Sequence, residues 1–208
     1  MKTLLIITSL LISMSLTSCL QHKEHQPVTE DPYKDFQEHT VLGEYSLKAP
    51  TYMSTATSLN DEASLQLKNL YKAAYVIVID ESKQEFIDAF KELEEYKNNE
   101  TVLVNYRLAQ VNSLRETAFL SNISNPDKQR INGLDAEVVT ANGYVEESGK
   151  RTDIVYTLGF IEGPEKMYLV MAWTSADKAE KLKEDYLKVI RSFKLLTGSK
   201  NDSTTKGQ

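Results

Sequence analysis

The chain has 208 residues, with 24 Lys+Arg against 30 Asp+Glu for a formal charge of -6. Its length and apolar content suit one domain with a true core, while the acidic balance excludes a nucleic-acid partner, whose phosphates need a basic face. Cys19 is the sole cysteine, so a disulfide framework is excluded as well.

The first segment is an export signal. Lys2 precedes an apolar or hydroxylic run over residues 4–16, too short to span a bilayer and flanked as a secretory signal is. Its end, Leu16-Thr17-Ser18-Cys19, resembles the lipobox of bacterial lipoproteins. That resemblance implies a signal peptide over 1–18 and diacylation of the Cys19 sulfur (a palmitate-type membrane anchor). One acyl chain anchors marginally and two hold firmly. Without the signal the charge is near -7, which gives no attraction to anionic lipid, so the acyl chains act alone. Leu20 stands where inner-membrane retention often uses aspartate. The expected address is therefore the outer membrane, at its periplasmic face or surface.

Residues 19–40 are polar, with Pro27, Pro32 and all three histidines, His22, His25 and His39. They read as a flexible tether; nothing fixes a geometry for metal binding by the three rings.

The folded domain is expected over 41–197. Tyr45, Leu47 and Ala49 alternate up to Pro50, and Ala63, Leu65 and Leu67 alternate again, each a strand. After a turn at 69–72, the run Ala73-Ala74-Tyr75-Val76-Ile77-Val78-Ile79 predicts a strand covered on both faces. Ser82 with Glu85 makes a capping box, and Phe86, Phe90, Leu93 and Lys97 follow at helical spacing. Val104, Leu108, Val111, Leu114 and Ala118 mark a second helix over about 100–120.

Asn132-Gly133 predicts a tight hairpin between strands at 123–131 and 134–146. Turns at Glu147-Ser148-Gly149-Lys150 and Glu162-Gly163-Pro164-Glu165 lead into strands at 153–161 and 167–173, an antiparallel meander. Thr174 or Ser175 is expected to cap a last helix striped by Ala179, Leu182, Tyr186, Val189, Ile190 and Phe193. Residues 198–208 form a polar tail. The fold class is α+β: a layered α/β/α sandwich around a central, mainly antiparallel β-sheet.

A family resemblance rests on the order of these segments. Tyr45-Ser46-Leu47-Lys48-Ala49-Pro50 opens the domain, Ile131-Asn132-Gly133 and Asp153-Ile154-Val155-Tyr156 mark its middle, and Tyr168-Leu169-Val170-Met171-Ala172-Trp173-Thr174 with Ile190-Arg191-Ser192-Phe193 closes it. This order resembles the PsbP-like superfamily over residues 44–196. The resemblance implies an antiparallel sheet between helical layers and a role in docking, as in the many bacterial lipoproteins of that superfamily. It carries over no site residues. The two helices between residues 82 and 120 make a larger insertion than the smallest members have, which would reshape one face.

Asp80-Glu81 is a carboxylate pair suited to acid–base work or a cation, or simply to the N-terminus of the helix that follows. Glu92, Glu94, Glu95 and Glu100 read as a solvated face. Trp173, Tyr168 and Tyr156 are candidates for a groove or for the core, with Trp173 against the last helix through Phe193. Asn142-Gly143 marks a bulge or a hairpin tip, and Asp202-Ser203-Thr204 resembles a short O-glycosylation motif. No nucleophile triad, phosphate loop or zinc motif is present, and no histidine is expected within the domain. The expectation is a non-catalytic envelope lipoprotein, without cofactor, that binds an unidentified envelope protein. The alternative is a small-ligand carrier with its pocket between the sheet and the 82–120 helices, and an enzyme using Asp80 or Glu81 ranks last.

Overall fold

Period-two patterning becomes strand pairing throughout the computed structural model, which describes residues 31–41 and 43–196. The elements in order are β1 (Phe36–Val41), β2 (Tyr45–Pro50), β3 (Ser54–Thr55), β4 (Ala63–Asn69), β5 (Ala74–Ser82), α1 (Lys83–Glu92), α2 (Val102–Thr117), β6 (Phe119–Ile123), β7 (Asp127–Ile131), β8 (Leu134–Glu147), β9 (Lys150–Glu162), β10 (Lys166–Ser175), α3 (Ala179–Arg191) and β11 (Lys194–Leu195). The main sheet has the order β3-β4-β5-β10-β9-β8-β6, with β7 paired to the first half of β8. Every pairing in it is antiparallel. The predicted hairpins form where positive φ is tolerated: Asn132 and Gly133 sit at φ 47° and 89°, Ser148 and Gly149 at 51° and 75°.

Each face of the sheet carries its own core. On one face Val76, Val78, Val170 and Ile161 meet Tyr45 and Leu47 of β2 and Leu182, Tyr186, Val189 and Ile190 of α3. Burial of those α3 side chains contributes roughly 1.5–3 kcal/mol each. On the other face Leu158, Phe160, Met167 and Leu169 meet Phe86 of α1 and Leu103, Tyr106 and Val111 of α2. β5 lies between the two, as its unbroken apolar run requires. The α+β sandwich stands, with three helices on a mainly antiparallel sheet.

Several boundaries differ from expectation. The tether expected over 19–40 does not reach residue 40, because Phe36–Val41 pairs with β2 along its whole length. With β11 these strands form a second, three-stranded sheet that shares the outer layer with α3. His39 thereby belongs to the body, which corrects the expectation of a histidine-free domain. Its polar neighbours hid a strand that needs only one apolar face. The strand expected at 123–131 is two strands, β6 and β7, broken at Ser124-Asn125-Pro126.

α1 is shorter than its spacing suggested. Ser82 Oγ accepts from the Glu85 backbone N–H at 3.3 Å, so the cap forms. The helix ends at Glu92, however, and Leu93 is 64% exposed rather than part of the stripe. α2 begins at Val102, with Thr101 Oγ1 accepting from the Val104 N–H at 3.2 Å. At the last helix, Ser175 precedes a single 3-10 turn (Ala176–Lys178), and α3 starts without a side-chain cap.

Candidate functional site

Strand alternation separates the two acids that the sequence places side by side. Asp80 and Glu81 both lie within β5, opposite Tyr168 and Met167 of β10. Asp80 faces the α3 side, where its Oδ2 accepts from Lys166 Nζ at 2.8 Å. The same ammonium donates to Glu44 at 2.9 and 2.8 Å. Hydrogen bonding to Asp80 and then Glu44 holds the Lys166 ammonium well above the ordinary lysine range.

Glu81 faces α2 instead. Its Oε1 accepts from Gln110 Nε2 at 2.8 Å. Burial raises its carboxyl above the ordinary range, Tyr106 and Gln110 pull it back, and Glu62 raises it further. The Tyr106 hydroxyl stands beside Glu81 but outside hydrogen-bond geometry; it is fully buried and has no hydrogen-bond partner. The carboxylates of Asp80 and Glu81 thus engage different partners on different faces, and they do not converge as an acid–base dyad.

The helical layer covers the sheet unevenly. α2 is tied to β8 by the Arg107–Glu137 ion pair, in which the Glu137 side chain is 3% exposed. On α1 Phe90 packs against Phe86, which meets Tyr106 of α2 edge-on, and Tyr106 in turn meets Phe160 of β9. Between α2 and the segment 59–62 the cover over β5 and β10 thins: Ile79, Met171 and Trp173 are half-buried there, while Ile77 and Leu169 stay buried. A cavity of about 380 Å³ lies there, floored by Ile77, Ile79, Leu169 and Met171 and closed at one end by Tyr156 and Trp173. It shares Glu62, Ile79, Gln110 and Ser113 with an adjoining cavity of about 500 Å³ that adds Glu81 and Phe90. Together they make one groove, aromatic at one end and acidic at the other. No lysine or arginine lines either part.

The aromatic end is a cross-strand set. Trp173 pairs in register with Tyr75 of β5 and Tyr156 of β9. Its ring stacks on Tyr75 at 5.2 Å and 15°, with Tyr156 at 6.5 Å. A separate concavity of about 360 Å³ on the opposite face is lined by Thr140, Thr157 and Thr174 with Glu180 and Lys183 of α3.

Of the aromatic trio read from the sequence, Trp173 and Tyr156 meet at the groove and Tyr168 does not. Tyr168 packs in the opposite core, 4.9 Å from Phe193 and 5.7 Å from Tyr45. Trp173 also does not pack on α3 through Phe193, because alternation turns it to the other face; its link to α3 is the Tyr186 hydroxyl donating to its carbonyl at 2.7 Å. Sequence reasoning missed Tyr75, Glu62 and Gln110. Tyr75 was legible as the first of Tyr75, Ile77, Ile79 and Glu81 on one strand face, whereas Gln110 and Glu62 come from elements whose placement no local pattern states.

Glu92, Glu94, Glu95 and Glu100 are exposed. Asn142-Gly143 lies inside β8, not at a hairpin tip, opposite an irregular register in β6 between Leu120 and Asn122. His39 Nε2 is buried without a hydrogen-bond partner, and burial lowers the imidazole's pKa. Cys19, His22, His25 and Asp202-Ser203-Thr204 lie outside the described residues. Among the described residues no three His, Cys, Asp or Glu side chains stand together to hold a metal ion, and no helix is long and apolar enough to cross a membrane.

No protein-family model matches the sequence, and no curated protein matches it. Solved structures do resemble the backbone. The solution structure of cyanobacterial PsbP from Synechocystis is 14% identical, covering 78% of this chain and 93% of that one, with a TM-score of 0.47. A Bacteroides thetaiotaomicron protein is 10% identical over 78% of this chain at a TM-score of 0.46, and the match spans about half (49%) of that protein's length. LpqN, involved in cell envelope biogenesis of Mycobacterium tuberculosis, is 12% identical, covering 77% of this chain and 91% of that one, with a TM-score of 0.40.

Proposed function

We propose that the protein is a non-catalytic binding module, held in the bacterial envelope by acyl chains on Cys19, that carries a small ligand in the groove between α2 and the β5–β10 strip. The observation that carries this reading is the continuous groove itself. Its apolar floor and aromatic end, set beside Glu62, Glu81, Gln110 and Ser113, are the makings of a ligand site. The anchor rests on Leu16-Thr17-Ser18-Cys19, and the outer membrane on Leu20 after the cysteine. Docking of an envelope protein is the second reading, favoured by Leu70 and Tyr71, which stand 70% and 93% exposed at the β4–β5 turn.

Two measurements test the proposal. Labelled palmitate should enter the protein in cells and fail to enter the Cys19→Ser variant; equal labelling overturns the anchor. Trp173 is the only tryptophan and lies in the groove, so it should transfer excitation to the neutral dye N-phenyl-1-naphthylamine with saturation. Absence of saturable transfer overturns the carrier reading in favour of docking.

A further inference from the structure

The groove has a direction. Along the β5–β10 ladder Trp173 pairs with Tyr75 at one end and Met167 with Glu81 at the other. Six residues of strand separate the ends, about 20 Å at the rise of an extended chain. The floor between them is Ile77, Ile79, Leu169 and Met171. An occupant that fills this length has an apolar body and turns one end toward carboxylates.

The acidic end lacks a counter-charge. Glu62 and Glu81 line it, and Asp80, which also borders it, is already held by Lys166. The groups beside Glu81 that can donate to it, Gln110 and Tyr106, are both neutral. A half-buried carboxylate so placed carries a desolvation cost, and a cation beside it relieves that cost. Beside Glu81 the buried Tyr106 hydroxyl has no partner. Its ring lines neither cavity, and its proton can turn to the Glu81 carboxylate.

The same features discriminate among ligands. An anionic head would meet two carboxylates and no cation. A hard metal ion takes six or more oxygens, and no set of three ligating side chains is present among the described residues. A protonated amine needs only one or two acceptors and tolerates the apolar floor beside it.

We infer that the groove takes an elongated amphiphile with a protonated amine head. The head sits between Glu81 and Glu62, and the apolar body runs over Ile79 and Met171 to Trp173. This rests on the carrier reading above and gives it a ligand class.

The test uses the full chain carrying Cys19→Ser, so that no acyl group competes, with Trp173 fluorescence as the readout. Dodecylamine, dodecanol and dodecyl sulfate are titrated below their micelle concentrations. Dodecylamine should bind at least tenfold more tightly than dodecanol near neutral pH, and dodecyl sulfate should show no saturable signal. Glu81→Gln should remove most of the preference for the amine over the alcohol. Glu62→Gln, at an exposed position, should reduce the same preference and serves if the first variant does not fold. Equal affinity for amine and alcohol, or a preference that survives both substitutions, overturns the charge inference while leaving a carrier of neutral ligands. No response of Trp173 to any of the three overturns the carrier reading too.

Discussion

Arg107 of α2 reaches Glu137 of β8, a carboxylate with only 3% of its side chain exposed. That ion pair holds the helix over the β8–β9 side of the sheet and so leaves the β5–β10 strip thinly covered. Removing Arg107 leaves Glu137 only the longer contact to Lys128 at 3.8 Å. Arg107→Ala should cost about 3 kcal/mol, the low end of the range for breaking a buried pair. Arg107→Met with Glu137→Leu should recover most of the loss. Urea unfolding of both variants checks this, and a double variant no more stable than the single one contradicts it.

Glu81 gives a pH dependence with a definite sign. Its folded pKa is raised by burial, so the folded state binds its proton at a pH where the unfolded chain has released it. Its favourable contribution is complete below the ordinary carboxylate range and is lost as pH rises through the folded value. Glu81→Gln should therefore melt higher than the parent near neutral pH. The gap should close as pH falls to the ordinary carboxylate range. Thermal melts across that interval decide it; a gap that widens on acidification refutes the assignment.

Lys166 should show its effect at the opposite end of the pH scale. Its ammonium joins Asp80 on β5 to Glu44, just before β2, and so ties the small sheet to the large one. Lys166→Met should cost about 1 kcal/mol, less than a charged hydrogen bond brings in a buried site, since the pair is partly solvated. The folded pKa is raised, so this contribution is full below the unfolded lysine value and fades only as pH climbs past it. The difference between parent and variant, measured by denaturant unfolding, should be flat through neutral pH.

Gly159 leaves the space that Ile190 occupies. A Cβ at Gly159 would stand 2.5 Å from Ile190 Cγ2. Gly159→Ala should therefore destabilise by about 1–3 kcal/mol through overpacking. Ile190→Val in the same chain should recover part of that. If alanine is neutral at 159, α3 does not press on β9 as closely as this contact requires.

Strands β4, β5, β8, β9 and β10, the hairpin at Asn132-Gly133 and the apolar stripe of α3 were legible because each is written in local periodicity or turn chemistry. β1 was not. His39 and Val41 are half-buried on one face of it and Phe36 on the other, and that pattern in a polar stretch reads as tether until β2 supplies the partner. Leu93 misled for the converse reason: it continues a helical spacing, but Glu94 takes φ 58° and the Glu95 and Tyr96 N–H groups fold back to the Phe90 carbonyl. The Asp80-Glu81 pair was visible as chemistry, and its division between two faces follows from placing it inside β5 rather than after it.

What the sequence by itself determined is the long strands of the main sheet and the three helices, the expectation of an anchor at Cys19 and the two-sided burial of β5, since each depends only on neighbours along the chain. Tertiary structure alone decided that Trp173 and Tyr156 meet at one groove, that Glu81 looks at Gln110 and Tyr106, and that α2 leaves a strip of sheet thinly covered. Those relations depend on cross-strand register and on where a helix settles across the sheet. Both are set by contacts between residues far apart in the chain, such as Arg107 with Glu137, and no local pattern encodes them.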